Sequence, residues 1–133
     1  MYTNTYVVLY VGLHAKFVTI SGVFVPNKPG IPCIVATSAH SVELEWEAPV
    51  DKTGSAIVVQ YILLYGHPDA AKFLYYRKKA AAAGKISSCT LKQRIWPGRT
   101  YRFAVAAENK AGCGEFSDFS EFVTVPSETG KSL

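Results

Sequence analysis

Cysteine and histidine are scarce in this chain of 133 residues, with three of each. Cys33, Cys89 and Cys113 are odd in number and show no Cys-x-x-Cys spacing, and no second His or Cys stands at ligand distance from His14, His40 or His67. This excludes a zinc-type ligand set and offers no disulfide framework. A Gly-x-Ser-x-Gly elbow and a phosphate-binding loop are also missing. The expectation is a protein without catalytic machinery, metal or cofactor. Asn4, Asn27 and Asn109 all lack a Ser or Thr two residues on, so there is no glycosylation acceptor. With the thiol usage, this favours the cytoplasm over an extracellular or membrane-associated location.

A long uninterrupted hydrophobic run is absent too. Residues 6–13 and 17–25 are apolar, but His14 and Lys16 separate them. A lysine near the centre of a spanning helix costs about 2.5–3.5 kcal/mol on insertion scales. No basic stretch precedes Tyr6, as a secretory signal would require. The β-branched and aromatic content favours strand. Strand, signal peptide and membrane anchor stay open for residues 6–25, with strand preferred. Phe17-Val18-Thr19-Ile20 echoes Phe122-Val123-Thr124-Val125, so the first copy reads as a strand remnant of a preceding module.

What is present is a core. Apolar residues are 49% and aromatics 13% of the chain, enough for one packed domain, and the net charge of +4 is mildly basic. Asn27 to Pro32 reads as a linker, since two prolines prevent regular structure. From there short strands and turns alternate at roughly ten-residue intervals. The predicted strands cover 33–37, 42–46, 57–65, 73–77, 86–91, 100–108 and 119–125. Val42, Leu44 and Trp46 face inward in the second, opposite Glu43, Glu45 and Glu47. Ile57, Val59, Tyr61, Leu63 and Tyr65 share one face of the third. Residues 78–85 read as a loop. In the sixth, Tyr101, Phe103, Val105 and Ala107 alternate inward after Trp96-Pro97-Gly98. A tyrosine at that point suggests a tyrosine corner, in which the phenol bonds back to the backbone.

The combination of Pro32, Trp46 in Leu44-Glu45-Trp46-Glu47-Ala48-Pro49, the 51–55 turn with Ile57, Tyr61, Tyr65, Ile95, the 101–109 run and Gly112-x-Gly114 with Ser117 resembles the fibronectin type III family over residues 29–126. The resemblance implies an all-β, seven-stranded, immunoglobulin-like two-sheet sandwich. Strands A, B and E would form one sheet and C-prime, C, F and G the other, with Trp46, Tyr61, Ile95, Tyr101, Phe103 and Val105 defining the fold. It also implies a module of a tandem array, flanked here by an amino-terminal segment (1–28) and a tail (127–133). Some family members carry Arg-Gly-Asp in the F–G loop; residues 109–117 contain none, which excludes integrin binding by that route. Phe116-Ser117-Asp118-Phe119-Ser120 resembles the Trp-Ser-x-Trp-Ser box of cytokine receptors. With Ala104 and Ala106 taken as the facing positions, no cation–π stack is expected there.

Two surfaces follow as candidates for contact, the first to be covered by the apolar 6–25 segment itself, a neighbouring module or a separate protein partner. Outward positions on the C and F strands are Val58, Ile62, Leu64, Ala104 and Ala106, apolar where a half-exposed sheet is ordinarily polar. Burying Ile62 and Leu64 would contribute about 3–5 kcal/mol before ordering costs. Arg77, Lys78, Lys79 and Lys85 would form a basic loop facing acidic lipid, polysaccharide or an acidic partner, or simply a solvated loop. No groove-reading element accompanies the charge, so nucleic acid is not expected.

Overall fold

The computed structural model describes residues 3–11, 14–22, 24–50, 57–69 and 72–128. Ten strands and no helix occur among them. The first two, β1 (Thr3–Val11) and β2 (His14–Gly22), pair as an antiparallel hairpin, from Thr3 opposite Gly22 to Val11 opposite His14.

The remaining strands build two sheets. β3 (Cys33–Ser38), β4 (Ser41–Glu47) and β7 (Ile86–Leu91) form one, in the order β3-β4-β7. β5 (Gln60–Asp69), β6 (Lys72–Ala81), β8 (Thr100–Asn109) and β10 (Val123–Thr124) form the other, in the order β10-β8-β5-β6, with the two-residue β9 (Gly112–Cys113) also on β8. In family letters these are A-B-E and G-F-C-C′, the sheets that the resemblance implies. Alternation buries Val42, Leu44 and Trp46 from one sheet against Tyr61, Leu63, Tyr65, Tyr101, Phe103 and Val105 from the other. Trp46 meets Tyr61 edge-on at 5.2 Å, and Tyr65 stacks on Phe103 at 6.1 Å. Ile95 closes one end, 3% exposed.

Three of the predicted strands change their bounds by several residues, and the one predicted over 57–65 also runs past Tyr65 to Asp69. The third predicted strand begins at Gln60 rather than Ile57: Ile57 is 85% and Val59 58% exposed, whereas Val58 packs on the core. Val58 and Tyr61 both face inward three residues apart, so the two-residue period slips between them and cannot be extrapolated backwards. The predicted 73–77 strand runs to Ala81, because β5 offers partners along its whole length, from Gln60 opposite Ala81 to Asp69 opposite Lys72. The final strand shrinks to Val123–Thr124, with Phe122 56% exposed.

Residues ahead of that short strand follow β8 by another device. Ser117 and Ser120 donate their backbone N–H groups to the carbonyls of Val105 (2.8 Å) and Phe103 (2.7 Å). Their hydroxyls accept the N–H groups of the same two residues, at 3.1 and 3.0 Å. The segment therefore advances three residues for every two of β8, a period that ordinary strand pairing does not have.

Candidate functional site

The outward face of the β5–β8 pair is the first candidate. Ile62 lies opposite Ala106 and Leu64 opposite Ala104, while Lys79 and Arg77 flank them on β6. Ile62 and Leu64 are half-buried. Ala104 and Ala106 are buried at 1% and 0% exposure, which corrects the expectation that they lie on an open surface. They sit between β5 and the segment of residues 116–120 bonded to the other edge of β8, and small side chains there let both neighbours close over them.

That segment also corrects the expectation of no aromatic–cation stack. The Arg102 guanidinium lies 4.1 Å from the Phe119 ring centre and 5.3 Å from that of Phe122, and it donates to the Tyr75 hydroxyl at 2.7 Å. Tyr75 and Phe119 approach ring to ring at 5.9 Å, and Arg77 reaches Phe116 at 5.6 Å. The three-residue period brings Phe119 and Phe122 opposite Arg102 instead of the alanines. At sites this open to solvent such contacts contribute about 0.5–1 kcal/mol each.

The basic residues do not share one loop. Arg77, Lys78 and Lys79 belong to β6, and Lys85 lies in the short turn after it. Arg77 and Lys79 pair with outward-facing Leu64 and Ile62, whereas Lys78 pairs with core-facing Leu63. The expected four-residue loop is thus a two-residue row on an edge strand, because pairing with β5 carries the strand through the lysines. Ile62, Arg77, Lys78 and Lys79 line an open hollow of about 320 Å³.

A second site lies at the end where the chain enters the sandwich, and sequence reasoning missed it. The Asn109 side-chain amide donates to the Phe24 carbonyl at 2.7 Å, while its oxygen accepts the Ala111 N–H at 2.8 Å. Asn27 donates to the Val50 carbonyl at 2.9 Å, and Lys28 pairs with Asp118 at 3.4 Å. Gly114 passes so close that a Cβ there would stand 2.0 Å from the Pro26 oxygen. The entering segment is held against the β8–β9 turn. The only sequence signal was the glycine pair 112 and 114, whose partner lies some ninety residues away.

His67 is not isolated in space: it is 1% exposed, packed edge-on against Trp96 and Tyr101 at 5.3 and 5.4 Å. Its ring nitrogens face the Tyr76 hydroxyl and the Arg99 guanidinium, each at 3.3 Å. This is a packed aromatic cage supporting the tyrosine corner. All three thiols are free, and β4 separates the strands of Cys33 and Cys89. Burial raises the pKa of Cys89; burial and then Glu108 raise that of Cys113, which argues against a reactive thiolate. No group of three metal-ligating side chains occurs among the described residues, nor does a helix long and apolar enough to cross a membrane.

Comparison with known proteins agrees with this geometry. The family model for the fibronectin type III domain matches residues 27–123. The chain is 33% identical over 108 residues to the phosphatidylinositol phosphatase PTPRQ of Rattus norvegicus, which covers 79% of this chain and 4% of that protein. It is 32% identical over 111 residues to the proto-oncogene tyrosine-protein kinase ROS of Mus musculus, covering 83% and 4%. The chain therefore spans only a small fraction of these relatives. The solution structure of the sixth fibronectin type III domain from human fibronectin type III domain containing protein 3 superposes with a TM-score of 0.60. That match, at 23% identity, covers 84% of this chain and 96% of that one and speaks for the fold alone. With its tyrosine corner, its A-B-E and G-F-C-C′ sheets and a family match over most of its length, the chain belongs to the fibronectin type III family.

Proposed function

We propose that the chain is a non-catalytic spacer and protein-interaction module of a tandem array. Residues 1–28 lead into the module at 29–126, and 127–133 form a tail. Modules of this family occur in receptors and other multidomain proteins, and a small share of the relatives' length is what one module of an array would cover. The observation that carries the reading is the bond from Asn109 to the Phe24 carbonyl. A spacer transmits orientation only if its entry segment is fixed to its body, and that bond, with Gly114 under Pro26, fixes it. The β5–β6 face, with Ile62 and Leu64 half-buried beside Arg77 and Lys79, is the surface offered to a protein partner.

Chymotrypsin tests the joint, because Phe24 stands at its edge. Cleavage after Phe24 is slow in the native protein and faster in Asn109→Ala while the sandwich stays intact. Equal rates in the two proteins would contradict the reading.

An extracellular or membrane-tethered receptor module is the second reading. It is favoured by 31% identity over 113 residues to receptor-type tyrosine-protein phosphatase F of Mus musculus. Intact mass of the protein made in cells separates the two, since signal cleavage would remove the first apolar run.

A further inference from the structure

The two outer faces of the sandwich carry opposite charge on matching strands. On β4, Glu43, Glu45 and Glu47 point outward in succession; Glu45 and Glu47 are exposed. Their neighbours across the sheet are short or apolar: Cys33 and Ser88 beside Glu45, Ile86 beside Glu47. Glu45, Glu47, Ile31 and Ile86 contribute to the wall of an open hollow of about 300 Å³, in which Ile31 is 55% and Ile86 46% exposed. On the opposite sheet Arg77 and Lys79 point outward from β6, beside the hollow of about 320 Å³ that contains Ile62. Alternate residues of a strand stand about 6.8 Å apart on either face, so two carboxylates on β4 match two cations on β6 in spacing. Each hollow also offers isoleucine for the other to cover. Glu108, on the same outer face, is bonded by the neutral Gln60 amide, and Asp118 pairs with Lys28. The contact of Arg77 with Phe116 helps hold that guanidinium over the outer face.

We propose that the module associates with a second copy of its own chain, the Arg77/Lys79/Ile62 face of one against the Glu45/Glu47/Ile86 face of the next. The proposal rests on reading the β5–β6 face as a contact surface and names its partner. Because the two patches lie on opposite sheets, the contact is heterologous and leaves a free patch at each end, so association continues beyond a dimer. Exposed ion pairs are individually weak, so the contact forms at high local concentration and is sensitive to salt.

Analytical ultracentrifugation of the full chain tests this with two charge reversals, R77E/K79E and E45K/E47K. The native protein is expected to show a weight-average mass that rises with concentration past the dimer and falls between about 0.05 and about 0.5 M salt. Each variant alone is expected to associate at least about tenfold more weakly, and an equimolar mixture to regain association, which also shows that both are folded. A native protein that stays monomeric at low salt overturns the proposal. So does association that ignores salt or survives either reversal, or a mass that levels off at the dimer. Monomers whose Arg77 and Lys79 instead bind heparin or anionic vesicles would overturn it in favour of an anionic polymer or lipid surface. None of these outcomes touches the chymotrypsin result at Phe24, so the joint and the lateral contact stand or fall separately.

Discussion

The phenol of Tyr101 accepts a hydrogen bond from the Trp96 backbone N–H at 2.6 Å, across the Trp96-Pro97-Gly98 turn. Tyr101 itself is wholly buried, and Gly98 takes a φ of 73°, which lets the chain reverse tightly enough for the phenol to reach back. Tyr101→Phe keeps the packing and removes the acceptor, leaving a partly buried N–H without its partner. A loss of about 1–2 kcal/mol in urea unfolding is expected, with the fold retained. An unchanged midpoint would show that the corner is not a structural tie.

Burial raises the pKa of the Tyr61, Tyr65 and Tyr101 phenols above the ordinary tyrosine value. Above about pH 10 the unfolded chain therefore gives up tyrosine protons that the native chain still holds. The native state then binds more protons, and stability falls as pH rises through that range; below it these groups leave stability unchanged. Denaturant midpoints measured from pH 8 to 11 are expected to drop only at the alkaline end. Tyr65→Phe is expected to flatten the drop.

Ser120 and Ser117 hold a stretch of chain to β8 through their hydroxyls as well as their backbones. Ser120→Ala leaves the buried Phe103 N–H unsatisfied and is expected to cost about 1–3 kcal/mol. Ser120→Thr keeps the oxygen and recovers most of it. The Arg102 stack should loosen with the same change, which thermal unfolding of Ser120→Ala with Arg102→Ala reads as a non-additive pair.

Gly114→Ala places a methyl group where the Pro26 carbonyl now lies. The entry segment is expected to lift off at a cost of about 1–3 kcal/mol, with the sandwich otherwise intact. Chymotrypsin cleavage after Phe24 is expected to accelerate as it does in Asn109→Ala.

Much of the fold is legible in the sequence because alternation reports burial directly. Trp46, Tyr61 and Tyr101 each sit on a run of period two, and each lands in the core. Ile57 and Val59 mislead for the same reason, since a one-residue slip near Val58 turns them outward. Lys78 to Ala81 have weak strand preference; only pairing with β5 makes them strand, and that is tertiary information. The Arg102 stack follows a three-residue period that alternation does not detect. The Phe24 clamp joins a side chain to a backbone carbonyl, and every residue has a carbonyl, so no pattern announces it.

Backbone 15N relaxation of the native protein reads whether residues 24–28 move with the sandwich. Order parameters near about 0.85 for Phe24, Val25, Asn27 and Lys28, equal to those of β8, are the predicted result. Values below about 0.6 at those residues, with β8 rigid, would contradict it.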